Sequence, residues 1–116
     1  MKEPLNEHNQ RKVAKQYCKV IAPLRAKARE LGYALGVHGS IKRDIDIIAC
    51  PWTAEAVEAQ ELVDALRLAC VDIIGFAQYG CDGPFPRTDK PHGRLCWTIQ
   101  FNGTYIDLSV MPRVIL

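Results

Sequence analysis

The stretch GSIKRDIDII, residues 39–48, places Asp44 and Asp46 at the start of an otherwise apolar, isoleucine-rich segment. A short run of this kind, rich in β-branched residues, is typical of a β-strand. Successive side chains of a strand point to opposite faces, so Asp44 and Asp46 share one face, about 7 Å apart, and Ile45 and Ile47 share the other. The sequence therefore predicts a strand with one face in the core and a pair of carboxylates on the other.

A third aspartate occupies the same setting in the last predicted strand. The segments RLCWTIQF and TYIDLSVM flank Asn102-Gly103, which is the preferred pair for a two-residue type I′ hairpin turn. In the second segment Asp107 shares a face with Tyr105 and Ser109, and its apolar neighbours face the core. If this strand lies beside the strand of Asp44 and Asp46, three carboxylates converge on one patch.

The rest of the chain predicts helices on one side of a mixed sheet. Apolar residues at steps of three and four predict a helix over residues 5–31, with a kink or two consecutive helices at Pro23. A second helix is expected after an N-cap at Thr53, and VDIIGFA (71–77) is predicted as a strand. With YALGV (33–37) as a further strand, we expect a single α+β domain over residues 1–116, with about five strands and two to three helices packed on one face.

Composition and charge exclude several classes of protein. The chain is 48% hydrophobic and 24% charged, which is typical of a globular domain. Its longest apolar run is far below the roughly 20 residues of a membrane span, and its first residues lack the apolar region of a signal peptide. The net charge of +2 gives no strong signature of duplex nucleic-acid binding. We therefore expect a cytoplasmic protein that does not bind membranes.

The three acids predict a specific chemistry. Like charges held close together repel one another unless a cation lies between them. Mg²⁺, or Mn²⁺ in its place, binds through one or two carboxylates together with water and substrate phosphates. Gly39 and Ser40 add a backbone N–H and a hydroxyl within reach of phosphate oxygens. This combination favours metal-dependent chemistry on a phosphate ester.

The order of these motifs resembles the nucleotidyltransferase superfamily, which includes DNA polymerase beta and the small minimal nucleotidyltransferases. LGVHGSIKRDIDIIACPW together with YIDLSVMPR resembles a small phage or prophage branch, and the resemblance covers about residues 33–110. It implies that Gly39 and Ser40 bind the phosphates of an NTP, that Asp44 and Asp46 bind metal, and that Asp107 completes the site. The implied reaction transfers a nucleoside monophosphate to a hydroxyl acceptor, whose identity the motifs do not specify.

One departure from that family keeps a second hypothesis open. Only Ile41, Lys42 and Arg43 separate Ser40 from the first aspartate, whereas family members usually place a longer segment there, often a short helix. Lys42 and Arg43 could compensate by binding phosphate oxygens directly. The alternative is a catalytically inactive binding module of the same fold, which would act through a protein partner, as an antitoxin-like or phage-encoded protein.

Ordinary structural roles also remain open for these residues. Asp44 and Asp46 could be a solvated strand edge paired with Lys42 and Arg43. Residues 79–93 contain three prolines and are expected to form a long surface loop. Lys90 and His92 in this loop, and Arg94 directly after it, could reach a substrate, although loops are generally polar.

Overall fold

The computed structural model describes residues 7–80 and 83–113, which form two α-helices and one β-sheet. Helix α1 spans Glu7–Glu30 and α2 spans Ala59–Ile74. The strands are β1 (Tyr33–His38), β2 (Ile45–Pro51), β3 (Gln78–Tyr79), β4 (Leu95–Phe101) and β5 (Thr104–Val110), and a 3₁₀ turn over Pro91–Gly93 leads into β4.

The sheet is mixed, in the order β1-β2-β5-β4-β3. The pair β2–β5 is parallel, and the other three pairs are antiparallel. Since β2 and β5 are far apart in sequence, the chain crosses over between them through α2, β3 and β4. The predicted α+β class, with five strands and helices on one face, is confirmed.

Alternation along the strands decides which face the helices cover. Ile45, Ile47 and Ala49 of β2 are at most 1% exposed, and they form one core with the apolar residues of α1 and α2. Their partners on β5 are equally buried: Ile106, Leu108 and Val110. Burial of this apolar area is the main favourable term in folding. The intervening residues of both strands therefore lie on the other face, which is called the open face below because it is turned away from α1 and α2.

Helix α1 is one element, so of the two alternatives predicted at Pro23, a kink or two consecutive helices, the second is wrong. Pro23 lies inside the helix and its side chain is exposed. A proline within a helix removes one hydrogen bond and crowds the preceding turn. Here Val20, Leu24 and Ala28 are buried on both sides of it, at no more than 1% exposure. Packing of this continuous stripe offsets the local cost.

The predicted strand over residues 71–77 is also wrong, because α2 continues to Ile74. Gly75 ends the helix in a left-handed conformation (φ 97°) and its N–H donates to the Val71 carbonyl at 2.7 Å. Such a glycine is a common helix C-terminal cap. A short apolar run is compatible both with a buried strand and with the end of a buried helix. The strand that follows, β3, contains only Gln78–Tyr79.

The start of α2 also differs from the sequence prediction. The helix begins at Ala59 after Glu58, so Thr53 is not its N-cap. The backbone N–H groups of Trp52 and Thr53 instead donate to the Gly32 carbonyl, at 2.8 and 3.2 Å. This loop therefore fastens the end of β2 to the end of α1.

The hairpin between β4 and β5 is as predicted. Asn102 and Gly103 both have positive φ, 49° and 72°, as a type I′ turn requires. Phe101 consequently pairs with Thr104, and this closing pair sets the register of both strands. Neither described helix is long and apolar enough to cross a membrane.

Candidate active site on the open face of the sheet

Four strands place polar side chains in one lateral row on the open face. His38 pairs with Asp46, Asp46 pairs with Asp107, and Asp107 pairs with Thr98. Directly opposed residues of neighbouring strands point to the same face, and the strands lie about 4.8 Å apart. The sheet thus brings Asp46 and Asp107 side by side, although 60 residues separate them in the chain.

The Asp46–Asp107 pair is half-buried and held by its neighbours. The Thr98 hydroxyl donates to Asp107 Oδ1 at 3.2 Å, which orients this carboxylate from β4. On the other side Gly39 lies against the Asp46 carboxylate. A Cβ added at Gly39 would be 3.0 Å from Asp46 Oδ2, closer than ordinary van der Waals contact. The absence of a side chain at position 39 is therefore what lets the turn approach the acid.

The turn between β1 and β2 carries the predicted phosphate-binding residues. Gly39 adopts φ 80°, where a glycine is not strained. Ile41 adopts φ 55°, which is rare for a β-branched residue, and its half-buried side chain packs against the core. The exposed residues on this turn are Gly39, Ser40, Lys42 and Arg43. The three-residue connection thus forms a tight turn and not a helix, and its two cationic side chains are exposed to solvent.

Asp44 lies immediately before the first residue of β2 and is half-buried. Because Asp44 is outside the strand, strand alternation does not fix the face of its side chain, and the expectation that it shares a face with Asp46 stays a prediction. Across residues 7–80 and 83–113, however, no three His, Cys, Asp or Glu side chains are arranged as ligands of one metal ion. The structure therefore brings Asp46 and Asp107 together and does not add Asp44 to a preformed three-ligand cluster.

Thr98 is a site residue that the sequence analysis missed, although the sequence contains the signal. A two-residue turn at Asn102-Gly103 pairs 101 with 104, and counting three residues back along each strand pairs 98 with 107. His38 likewise lies in the row because it ends β1 directly opposite Asp46. The β1–β2 register, which the sequence does not specify, places His38 opposite Asp46.

Comparison with known proteins gives little beyond this geometry. No family model matches the chain, and no curated protein matches it. Among solved structures, the chain is similar to crystal structures of mtPAP in complex with CTP and with UTP. Each match has a TM-score of 0.47 and 16% identity, and covers 93% of this chain and 26% of the mtPAP chain. The chain thus spans about a quarter of that protein's length, and a likeness this loose says nothing about activity.

Proposed function

We propose that this protein is a Mg²⁺-dependent nucleotidyltransferase, which transfers a nucleoside monophosphate from an NTP to a hydroxyl acceptor. Asp46 and Asp107 would hold the metal, with Asp44 as a further acidic ligand. The turn would bind the triphosphate through the backbone of Gly39, the hydroxyl of Ser40 and the cationic side chains that follow, Lys42 and Arg43.

The pairing of Asp46 with Asp107 is the observation that supports this proposal most strongly. Two half-buried carboxylates on adjacent strands repel each other, and a fold gains nothing from that repulsion by itself. Asp46 and Asp107 would hold a divalent cation, whose positive charge would offset this repulsion. Because Gly39 abuts the same carboxylate, a phosphate bound at the turn would lie next to that cation.

The donor set fits Mg²⁺ better than it fits a metal held by protein ligands alone. Mg²⁺ usually takes one or two carboxylates and completes its octahedral shell with water and substrate phosphates. A pair of carboxylates beside a phosphate-binding turn satisfies this requirement without a third preformed ligand. The oxygen-only character of the pair also disfavours Zn²⁺, which prefers nitrogen and sulfur ligands.

In the proposed reaction, the residues position the substrates and accept a proton. The turn holds the triphosphate so that its α-phosphorus lies over the Asp46–Asp107 pair. Asp107, oriented by Thr98, accepts the proton of the attacking hydroxyl. A new ester bond forms to the α-phosphorus while its bond to the bridging oxygen breaks, and pyrophosphate leaves. A bound divalent ion would supply Lewis-acid stabilisation of the charge that develops on the phosphate oxygens.

Isothermal titration calorimetry with ATP, GTP, CTP and UTP in Mg²⁺, followed by a labelled-NTP transfer assay, tests this proposal. We expect Asp46→Asn and Asp107→Asn to lower Mg-NTP affinity by about tenfold or more and to abolish transfer, since even outer-sphere partners of a metal site contribute this much. Asp72→Asn, an exposed acid on α2, is the matched control. Equal affinities for Asp46→Asn and Asp72→Asn would refute the proposed metal site.

A second candidate is a binding module that has this fold but no catalysis. Two observations favour it: only three residues connect Ser40 to Asp44, and the described acids form no three-ligand cluster. Electron paramagnetic resonance of Mn²⁺, titrated in the presence of ATP, separates the candidates. Mn²⁺ bound at Asp46 and Asp107 with transfer to an acceptor supports the enzyme. ATP or protein binding without Mn²⁺ and without transfer supports the module.

Three further features remain part of the proposal. They are a cytoplasmic location, a place in a small phage or prophage branch of the superfamily, and a protein partner in the case of the inactive module. Comparison of the affinities for ATP, GTP, CTP and UTP by calorimetry identifies the preferred base of the NTP.

A further inference from the structure

A second polar group on the open face lies beside the carboxylate pair, and we name it the Arg94 cluster: Arg94, Cys96 and Ser109. Arg94 Nη1 donates to Ser109 Oγ at 2.8 Å and to Cys96 Sγ at 3.7 Å. Cys96 Sγ and Ser109 Oγ are themselves 3.2 Å apart. Ser109 is 8% exposed and Cys96 is 4% exposed, so the guanidinium contacts two buried polar side chains.

Neutral partners distinguish Arg94 from three other cations of the described residues. Arg11, Lys27 and Arg113 each lie within 4 Å of a glutamate. In the part of the chain that the structure describes, the side-chain partners of Arg94 are the hydroxyl and the thiol of its cluster. A half-buried guanidinium is planar, always charged and suited to bidentate binding of phosphate or carboxylate. Because these side-chain partners are neutral, the charge of the Arg94 guanidinium can bind an anionic ligand.

The position of the cluster relative to the carboxylate pair identifies the side from which that anion would come. Ser109 is two residues beyond Asp107 on β5, on the same face and about 7 Å away. Gly39 and Ser40 lie at the opposite end, ahead of the first residue of β2. The carboxylate pair thus separates the phosphate-binding turn from the Arg94 cluster.

A second arginine lies on the same side. Arg87 forms an isolated β-bridge with Cys96, so the two residues are opposed and share the open face. The adjoining positions across the sheet are Gly36, which has no side chain, and Ile48, which is half-buried. The open face beside Ser109 is therefore low and apolar, which suits a ligand that combines a phosphate with a flat organic part.

We propose that the Arg94 cluster binds a phosphate group of the acceptor, and this inference rests on the proposed function. In nucleotidyl transfer the attacking and leaving oxygens are roughly in line, so the acceptor approaches from the side away from the departing pyrophosphate. The turn binds the pyrophosphate portion on one side of the carboxylate pair, and Arg94 lies on the other side. The acceptor is therefore a molecule that carries both a reactive hydroxyl and a phosphate group.

Direct binding of two phosphate-bearing probes tests this inference without requiring catalysis. The probes are a single-stranded RNA hexanucleotide with a free 3′-hydroxyl and ribose 5-phosphate, with ribose as the uncharged control. Arg94→Gln should weaken binding of the preferred probe by about tenfold or more, the usual effect of losing a charged hydrogen bond. Arg94→Lys should retain part of that affinity, and Arg29→Gln, on the exposed face of α1, should retain all of it. The probe that binds identifies the source of the phosphate.

The same titrations separate this inference from the proposed function. Mg-ATP should bind wild-type protein and Arg94→Gln with affinities that agree within about twofold, because the turn lies on the other side of the carboxylate pair. Mg-ATP binding with no Arg94-dependent binding of either probe would overturn the inference alone. Arg94-dependent binding of a probe without Mg-ATP binding would support the anion site and refute the nucleotidyltransferase.

Ser109→Ala keeps the inference testable if Arg94→Gln does not fold. This small change keeps the Arg94 side chain but removes the hydroxyl that accepts its hydrogen bond. We expect probe affinity to fall by about threefold, with thermal unfolding monitored by circular dichroism as the check on folding. Wild-type affinity in folded Ser109→Ala, together with wild-type affinity in Arg94→Lys, would contradict the proposed role of the cluster.

Discussion

Replacement of Gly39 with alanine tests whether the turn and the Asp46 carboxylate act as one site. Two separate effects are expected. The backbone at φ 80° is unfavourable for alanine by about 1 to 2 kcal/mol, since a Cβ approaches the following carbonyl there. The new Cβ would also lie 3.0 Å from Asp46 Oδ2, so the carboxylate must move by about 0.4 Å to reach ordinary contact.

The magnitude of each effect follows from these distances. A loss of 1 to 2 kcal/mol lowers Tm by roughly 4 to 10 °C in a domain of this length. A misplacement of 1 Å can cost a reaction about a hundredfold, so a shift of about 0.4 Å corresponds to a fivefold to tenfold loss. We expect Mg-ATP affinity and transfer rate to fall by that factor in Gly39→Ala.

Gly75→Ala is the matched control, because Gly75 also has a positive φ, 97°, but nothing lies within 4 Å of its ideal Cβ. Thermal unfolding by circular dichroism should show similar losses of Tm for the two variants. Calorimetry with Mg-ATP should show a loss of affinity for Gly39→Ala alone. Equal Mg-ATP affinities in the two variants would refute the coupling between the turn and Asp46.

Three further predictions concern stability, the carboxylate pair and thiol reactivity. Gly32→Ala should lower the free energy of unfolding in urea by about 3 kcal/mol or more, because its Cβ would lie 2.6 Å from the Cα atom of Ala56. A loss of unfolding free energy no larger than that of Gly75→Ala would contradict this packing. Thr98→Val should weaken Mn²⁺ binding by a few fold through loss of its hydrogen bond to Asp107, and Thr98→Ser should restore it. Burial raises the pKa of Cys70 from 9.0 to about 12, so iodoacetamide at a pH near 8 should modify the exposed Cys50 and spare Cys70, as peptide mass spectrometry can establish. Equal alkylation of Cys50 and Cys70 in folded protein would contradict this difference in reactivity. The raised pKa of Cys70 also affects stability: the contribution of its neutral thiol to the free energy of unfolding is present below pH 9.0, the ordinary pKa of a cysteine thiol. It is lost as pH rises through the pKa of about 12 in the folded protein.

Local patterns in the sequence predicted the strands that carry the site. Isoleucine alternation in β2 and the Asn102-Gly103 turn both depend on neighbouring residues alone, and both are confirmed. The boundary of α2 was missed because apolar residues at 71–74 suit a buried strand as well as a buried helix. Its continuation was decided by packing against α1 and by the cap at Gly75.

The sequence by itself determined that Asp46 and Asp107 lie on non-core faces, because alternation along a strand is local. Only the tertiary structure decided that these two acids are opposite each other. A shift of β2 against β5 by two residues would leave every side chain on the same face, yet it would set Asp44 opposite Asp107. That register depends on how the buried residues of both strands fit beneath α1 and α2, which is a property of the packed core and of no single segment.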